Sequence, residues 1–177
     1  TCIQAIDNGA VELYYDNSKK FETTSEGSKA HGIFRVSGAE GVDGKVIIQA
    51  DDGDDYDDYT RLRHSTDGYF YIENITSGSY ETALRSDGNG AVELYYDNVK
   101  TFQTDANGIM VFGQEGGSAN IYLYADEGDD NSDKFQFTVN EGGPLRIQNR
   151  ASGGVENNIV CHGNGTTELY YDDSKKL

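Results

Sequence analysis

Two acidic runs carry the densest chemistry in this chain. They are DDGDDYDD at 51–58 and DEGDDNSD at 126–133. Asp51, Asp52, Asp54 and Asp55 in the first, and Asp126, Asp129 and Asp130 in the second, are hard oxygen donors in glycine-containing loops. Calcium takes six to eight oxygens, and clustered aspartates can supply them. The spacing departs from the EF-hand pattern, which needs a Gly at the sixth position and a Glu at the twelfth. The simpler reading is a solvated turn between two strands. No other cofactor is expected.

Other chemistries find less support. His31, His64 and His162 are scattered, and Cys161-His162 alone falls short of the three or four clustered ligands that zinc needs. Cys2 and Cys161 read as free thiols. No nucleophile elbow, phosphate loop or histidine-based triad is visible. Carboxylate pairs for glycoside hydrolysis are conceivable in any acidic fold, but the clusters here recur as a duplicated element. No enzymatic activity is expected. Tyr69, Phe70 and Tyr71 could stack on sugars, although strand packing is the simpler account of them. The sequons at Asn74 and Asn164 read as chance.

The elements that position these residues repeat. ELYYD stands at 12–16, 93–97 and 168–172, so Leu13, Leu94 and Leu169 mark a period with two unequal steps, the second the shorter. The similarity extends outward. VIIQADDGDD (46–55) answers IYLYADEGDD (121–130), and SGSYETALRSDGNG (77–90) answers SGGVENNIVCHGNG (152–165). Thr1 aligns with Thr82, and Leu177 with Phe21 and Phe102. Such periodicity marks a modular, quasi-one-dimensional protein. The expected division is 1–27, the end of one module; 28–107, a full module; and 108–177, a module ending within its hairpin. The chain is expected to be a segment of something longer.

Each module reads as β-structure. The 22 glycines leave no room for a long helix, and the apolar residues alternate rather than recur at helical spacing. In AVELYY, Val11, Leu13 and Tyr15 point one way while Glu12 and Tyr14 point the other. Asp16-Asn17-Ser18-Lys19 is a turn, and ELYYDNSKKFET a hairpin entered through Asn8-Gly9. Further strands are expected near 33–36, 45–49, 59–64, 69–73 and 81–85. Their counterparts are expected at 109–112, 120–124, 134–139, 145–148 and 157–161. The alternation places Leu13, Leu94 and Leu169 toward a core, with Tyr15, Tyr96 and Tyr171 beside them.

Composition limits the partners. Hydrophobic residues make up 36% of the chain, and 13 of them are tyrosines, so the aliphatic core available to one chain is thin. A core shared between chains answers that shortage. The net charge of −17 offers no basic footprint for nucleic acid and repels an anionic membrane surface. No apolar stretch is long enough to span a bilayer.

GAVELYYDNSKKFETT, followed by a glycine and a Gly-Ile strand, resembles the repeats of tail-fibre and related virion proteins of marine phages, including those of cyanobacteria. The ADDGDD, IENITSGSYET and NGAVELYYDN elements resemble that family's modules in the same order. The resemblance covers essentially the whole chain. It implies a structural virion protein, a homotrimeric fibre or appendage that joins other virion proteins and serves host attachment. A host-surface glycan is the expected contact of such an appendage. No catalytic residues come with it. GTTELYYDDSKKL departs from the pattern, with Thr167 where Val11 and Val92 stand. A carbohydrate-binding module, a bacterial adhesin or filament subunit, and a depolymerase spike are the alternatives. The expected fold is therefore all-β, in tandem hairpin-rich modules that form a homotrimeric fibre segment.

Overall fold

The structure is a computed structural model and describes residues 2–76 and 78–177. Thr1, matched above with Thr82, and Ser77, which opens the 77–90 match, lie outside the described residues. The fold is all-β, in three antiparallel sheets. The first contains β1 (Ile3–Ala5), β2 (Val11–Tyr15), β3 (Ser18–Thr24) and β4 (Gly27–Ala30). The second runs through β5 (Gly44–Gln49), β6 (Tyr59–His64), β7 (Tyr69–Ile75), β8 (Tyr80–Asp87), β9 (Val92–Tyr96), β10 (Val99–Asp105) and β11 (Gly108–Val111). The third runs through β12 (Ala119–Tyr124), β13 (Lys134–Val139), β14 (Leu145–Asn149), β15 (Glu156–Cys161), β16 (Thr167–Tyr171) and β17 (Ser174–Lys175). Within each sheet every strand pairs with the next in sequence, so each sheet is a meander. The chain divides into two units, Thr1–Lys45 and Val46–Leu177.

The hairpin turns explain the tight meander. Asp16-Asn17, Asp97-Asn98 and Asp172-Asp173 all have φ between 49° and 58°. Two successive left-handed residues make the two-residue turn whose twist matches the strands, and Asn and Asp tolerate that region best. The turn is tighter than the expected four residues, because Ser18 already pairs with Tyr15. Irregularities repeat as well. A bulge falls at Lys20 in β3 and at Thr101 in β10, and their carbonyls accept the amides of His31 and Phe112. Another falls at Ala83 in β8 and Asn158 in β15.

One expected strand is absent. Residues 33–36 form no strand; the strand that closes the first sheet is β4, at 27–30. Aligning DNSKKFETTSEG (16–27) with DNVKTFQTDANG (97–108) sets Gly27 against Gly108, and the strand follows that glycine. Gly27 and Gly108 are the equivalent pair, with φ of 138° and 153° at the opening of the returning strand. The unequal steps between the three leucines trace to the linkers. Residues 31–43 separate β4 from β5, while only 112–118 separate β11 from β12.

Each sheet has one apolar face. Directly paired residues form a straight row across the second sheet: Leu62, Ile72, Leu84, Leu94, Phe102 and Val111. In the third sheet the row is Ile121, Phe137, Ile147, Ile159 and Leu169. In the first it is Ile3, Leu13, Phe21 and Ala30. Among the described residues of the second unit, the closest contacts between elements run chiefly between neighbours along the chain. Val160 is the only apolar residue that is buried among the described residues. The other buried side chains are polar: Glu12, Ser65, Glu73, Glu93, Gln136, Thr138 and Gln148.

Candidate functional site

The ELYYD strand has two contrasting faces. On one, its glutamate is gripped by residues from both arms of the hairpin. The Tyr14 hydroxyl donates to Glu12 at 2.6 Å, and Lys19 Nζ donates to the other oxygen at 2.5 Å. Tyr95 donates to Glu93 at 2.5 Å and Lys100 at 3.2 Å, with Arg85 2.7 Å away. Tyr170 and Lys175 donate to Glu168 at 2.7 and 2.8 Å. The tyrosine stands two residues after the glutamate and the lysine seven after it, across the turn. That Glu-x-Tyr-x4-Lys spacing is readable in the sequence; alternation already puts the glutamate and tyrosine on one face, and the lysine joins them only because the turn folds back.

Electrostatics follow from this grip. Burial pushes the Glu93 carboxyl up, but the hydrogen bonds of Tyr95 and Lys100 and the charge of Arg85 outweigh it and hold the group below the ordinary carboxylate range. Glu168 is pulled down to about 2, first by Lys175 and then by Tyr170 and His162. Burial, and then the bond to Glu93, pushes the Tyr95 hydroxyl up to about 12.

The same face continues across the sheet as an interlocked layer. Arg61 Nε donates to Glu73 at 2.7 Å, and Arg63 Nη2 to its other oxygen at 2.7 Å. The Arg61 guanidinium lies 3.3 Å over the Tyr80 ring, and that of Arg63 3.8 Å over Tyr71. Burial opposes the charge of Glu73, yet the two arginines hold its carboxyl low. In the third sheet, at the positions matching Arg61, Arg63 and Glu73, stand Gln136, Thr138 and Gln148. Gln136 Nε2 donates to Gln148 at 2.9 Å and to Thr138 at 3.0 Å. Thr138 donates to Asn120 at 2.8 Å. One module fills this layer with ion pairs and the next with amides, and both leave it closed. Long side chains lying flat across a sheet cover one another's polar ends.

The opposite face is open. Leu13, Leu94 and Leu169 are about two-fifths exposed (39%, 41% and 42%), and Tyr15, Tyr96 and Tyr171 are more than 70% exposed. These residues do not enter a core within the chain, contrary to the simplest use of the alternation. Alternation assigns faces correctly but does not say which face the chain covers by itself.

The acidic loops are compact turns. Asp51 and Asp126 have φ of 44° and 41° and shape the loop backbone. The Tyr59 hydroxyl donates to the Gly53 carbonyl at 2.6 Å, and the Ala50 amide to that of Asp58 at 2.8 Å. Asp52, Asp54 and Asp58 bring one carboxylate oxygen each within 4.8 Å of one another, as do Asp129, Asp130 and Asp133. Asp58 and Asp133 replace the expected Asp51, Asp55 and Asp126 as neighbours. With one oxygen from each residue, a trio supplies three of the six to eight oxygens that calcium takes. Of the aromatic run, Tyr69 and Tyr71 lie edge to face on the polar side with centroids 6.2 Å apart. Phe70 points the other way, opposite His64. Guanidinium groups cover one face of Tyr71 and of Tyr69, leaving less ring surface for a sugar.

No family model matches this chain, and comparison with curated proteins and solved structures gives no match either.

Proposed function

We propose that this chain is a structural segment of a phage tail fibre or similar virion appendage that serves host attachment. The observation that carries the reading is the apolar row on each sheet, which leaves Leu13, Leu94 and Leu169 about two-fifths exposed, beside a polar face already closed by its own bonds. Contiguous exposed apolar surface of this kind marks an interaction site. A shaft built from several chains uses such a surface as its common core, and the resemblance of the repeats to tail-fibre modules gives three as the number of chains. The role is mechanical. Stacked modules set the reach of the appendage, and several chains present several copies of any tip site, so weak contacts to a host glycan add by effective concentration. Virion localisation, contacts with other virion proteins and the absence of catalysis belong to the same reading.

Immunogold labelling of phage particles whose genome encodes the chain tests it. Label along a tail or capsid appendage is the expected result. Label confined to the host cell surface would move the chain to the filament or adhesin class.

A further inference from the structure

The third sheet opens on a strand that pairs on one side only. We infer that this strand, β12, is a docking edge for an extended segment of another protein, one that alternates apolar residues with lysine or arginine. The inference stands apart from the fibre reading and holds for one chain or several.

The backbone of the edge is open. β12 pairs with β13 over six positions without a register shift, and has no partner strand on its other side. The Ala125 amide donates to the Asp133 carbonyl at 3.0 Å, so Leu123 and Ile121 are the residues that bond to β13. The N–H and C=O of Asn120, Tyr122 and Tyr124 then point away from the sheet. Edge strands are ordinarily protected by shortness, lysine, proline or a bulge. The edges β1, β4, β11 and β17 have four residues or fewer, and β5 carries Lys45. β12, with the sequence ANIYLY, is six residues long and has none of these devices.

The two faces of the edge select the partner's residues. A cleft of about 520 Å³ at the end of β12 is lined by Tyr122, Leu123, Tyr124, Ser132, Asp133 and Phe135. On the apolar face Ile121 and Leu123 are about half exposed, so an added strand meets apolar surface there. On the other face the Tyr122 and Tyr124 rings are also half exposed, with centroids 6.0 Å apart. In the second sheet guanidinium groups lie over Tyr69, Tyr71 and Tyr80. Among the described residues no cation lies over Tyr122 or Tyr124, although Lys134 stands opposite Tyr124 in the pair. A lysine or arginine of an added strand supplies that cation.

Charge points the same way. Just past β12, Asp129, Asp130 and Asp133 bring carboxylates within 4.8 Å of one another, in a chain of net charge −17. They attract a basic segment and oppose a second β12 laid parallel, whose own loop would meet this one. Main-chain bonds along an edge, with alternate side chains read on its two faces, are the β-augmentation mode of recognition. The device is particular to the third sheet. β5 has Ile47 and Gln49 in place of the two tyrosines, and Gln49 Nε2 donates to the Asp52 carbonyl of its own loop at 3.1 Å.

A labelled synthetic octapeptide of alternating valine and lysine tests this, titrated against the full chain by fluorescence anisotropy. A peptide of the same charge with proline in place of valine is the control. The valine peptide is expected to bind at least about tenfold more tightly, the contribution of one or two backbone hydrogen bonds. Tyr122→Pro removes an outward N–H and spares the bonds to β13, since proline is tolerated on the open side of an edge strand. It is expected to keep the strand content by circular dichroism and to lose the peptide. Asp130→Asn with Asp133→Asn is expected to weaken binding and flatten its salt dependence. Equal binding of the two peptides, no binding, or binding unchanged in the aspartate variant or in a folded Tyr122→Pro overturns the proposal. The peptide pair and the aspartate variant decide the case without the proline variant. Self-association that Tyr122→Pro abolishes, with no peptide bound, gives the edge to a second copy and also overturns it. The native mass of the chain decides the fibre reading separately.

Discussion

Glu93 accepts a hydrogen bond from Tyr95 at 2.5 Å, and both lie on the face of β9 opposite to Leu94. This relation sets the logic of the module. The carboxylate is 5% exposed while the leucine beside it is 41% exposed. The chain thus covers this charge by itself and leaves the leucine beside it partly open. Glu93→Ala removes the acceptor shared by Tyr95, Lys100 and Arg85. A hydrogen bond to a charged group contributes about 1.5–3 kcal/mol, and a loss of about that size is expected in urea unfolding. A change within about 0.5 kcal/mol, the range of ordinary surface substitutions, would deny the glutamate its central place.

The two versions of the polar layer make a second case. Glu73→Gln alone removes the carboxylate that Arg61 and Arg63 share and is expected to destabilise strongly. The triple change Arg61→Gln, Arg63→Thr and Glu73→Gln installs the amide set found in the third sheet. Replacing a buried ion cluster as a whole is often neutral. Thermal unfolding of the triple variant should therefore lie nearer the wild type than the single variant does. The reverse order would show that the layers are not equivalent.

Acid should act through the same carboxylates. Glu12, Glu73, Glu93 and Glu168 are held below the ordinary value of 4.5 in the folded state. Depressed carboxylates contribute stability that is present above the unfolded value and lost as pH falls through the folded one. Unfolding free energy should stay level from neutral pH to about 5 and then fall. Glu168 gives up its share last, near its folded value of about 2. Tyr95 works at the other end. Its value is raised from 10 to about 12, so its contribution is present below 10 and lost as pH climbs toward 12. A pH titration of the denaturation midpoint checks both limbs.

The hairpin turns are sensitive to one residue. Asn98 has φ 58°, and its side-chain oxygen accepts the Thr82 amide at 2.8 Å. Asn98→Ala loses that bond and places a residue with a poor left-handed propensity in the turn. A cost of about 1–2 kcal/mol is expected. Thermal melts of the variant check it.

For the acidic loops, Asp54→Asn with Asp58→Asn separates a turn from a cation site. These carboxylates crowd within 4.8 Å together with Asp52. In a solvated turn, removing the repulsion slightly raises the melting temperature at low salt, and added salt erases the gain. A fall in melting temperature that calcium alone produces in comparison with the wild type would mark a held ion instead.

Much of the fold was legible because its signals are local. Period-two alternation located the strands of the hairpin, and Asp-Asn located its turn. The repeat then carried each assignment to its counterparts. Residues 33–36 failed because GSKA at 27–30 shows no apolar alternation, whereas Ile33-Phe34 does look like a strand; pairing with β3 places the strand at Gly27. The grip on Glu12, Glu93 and Glu168 was hidden for a different reason. It depends on a lysine brought across a turn and on flat-lying neighbours from other strands. Asp58 and Asp133 were missed because the loops fold back on themselves and bring the end of each acidic run to its middle.

The account stands on the uncovered apolar row. Leu94→Asp places a charge in that row and is expected to abolish the soluble assembly expected of the wild-type chain. The most direct measurement is the native mass of the wild-type chain by light scattering on a sizing column. A mass of three chains is the expected result. A well-folded single chain would contradict the account, since Leu94, Ile121, Phe137 and Leu169 would then stay open to water with no second chain to cover them.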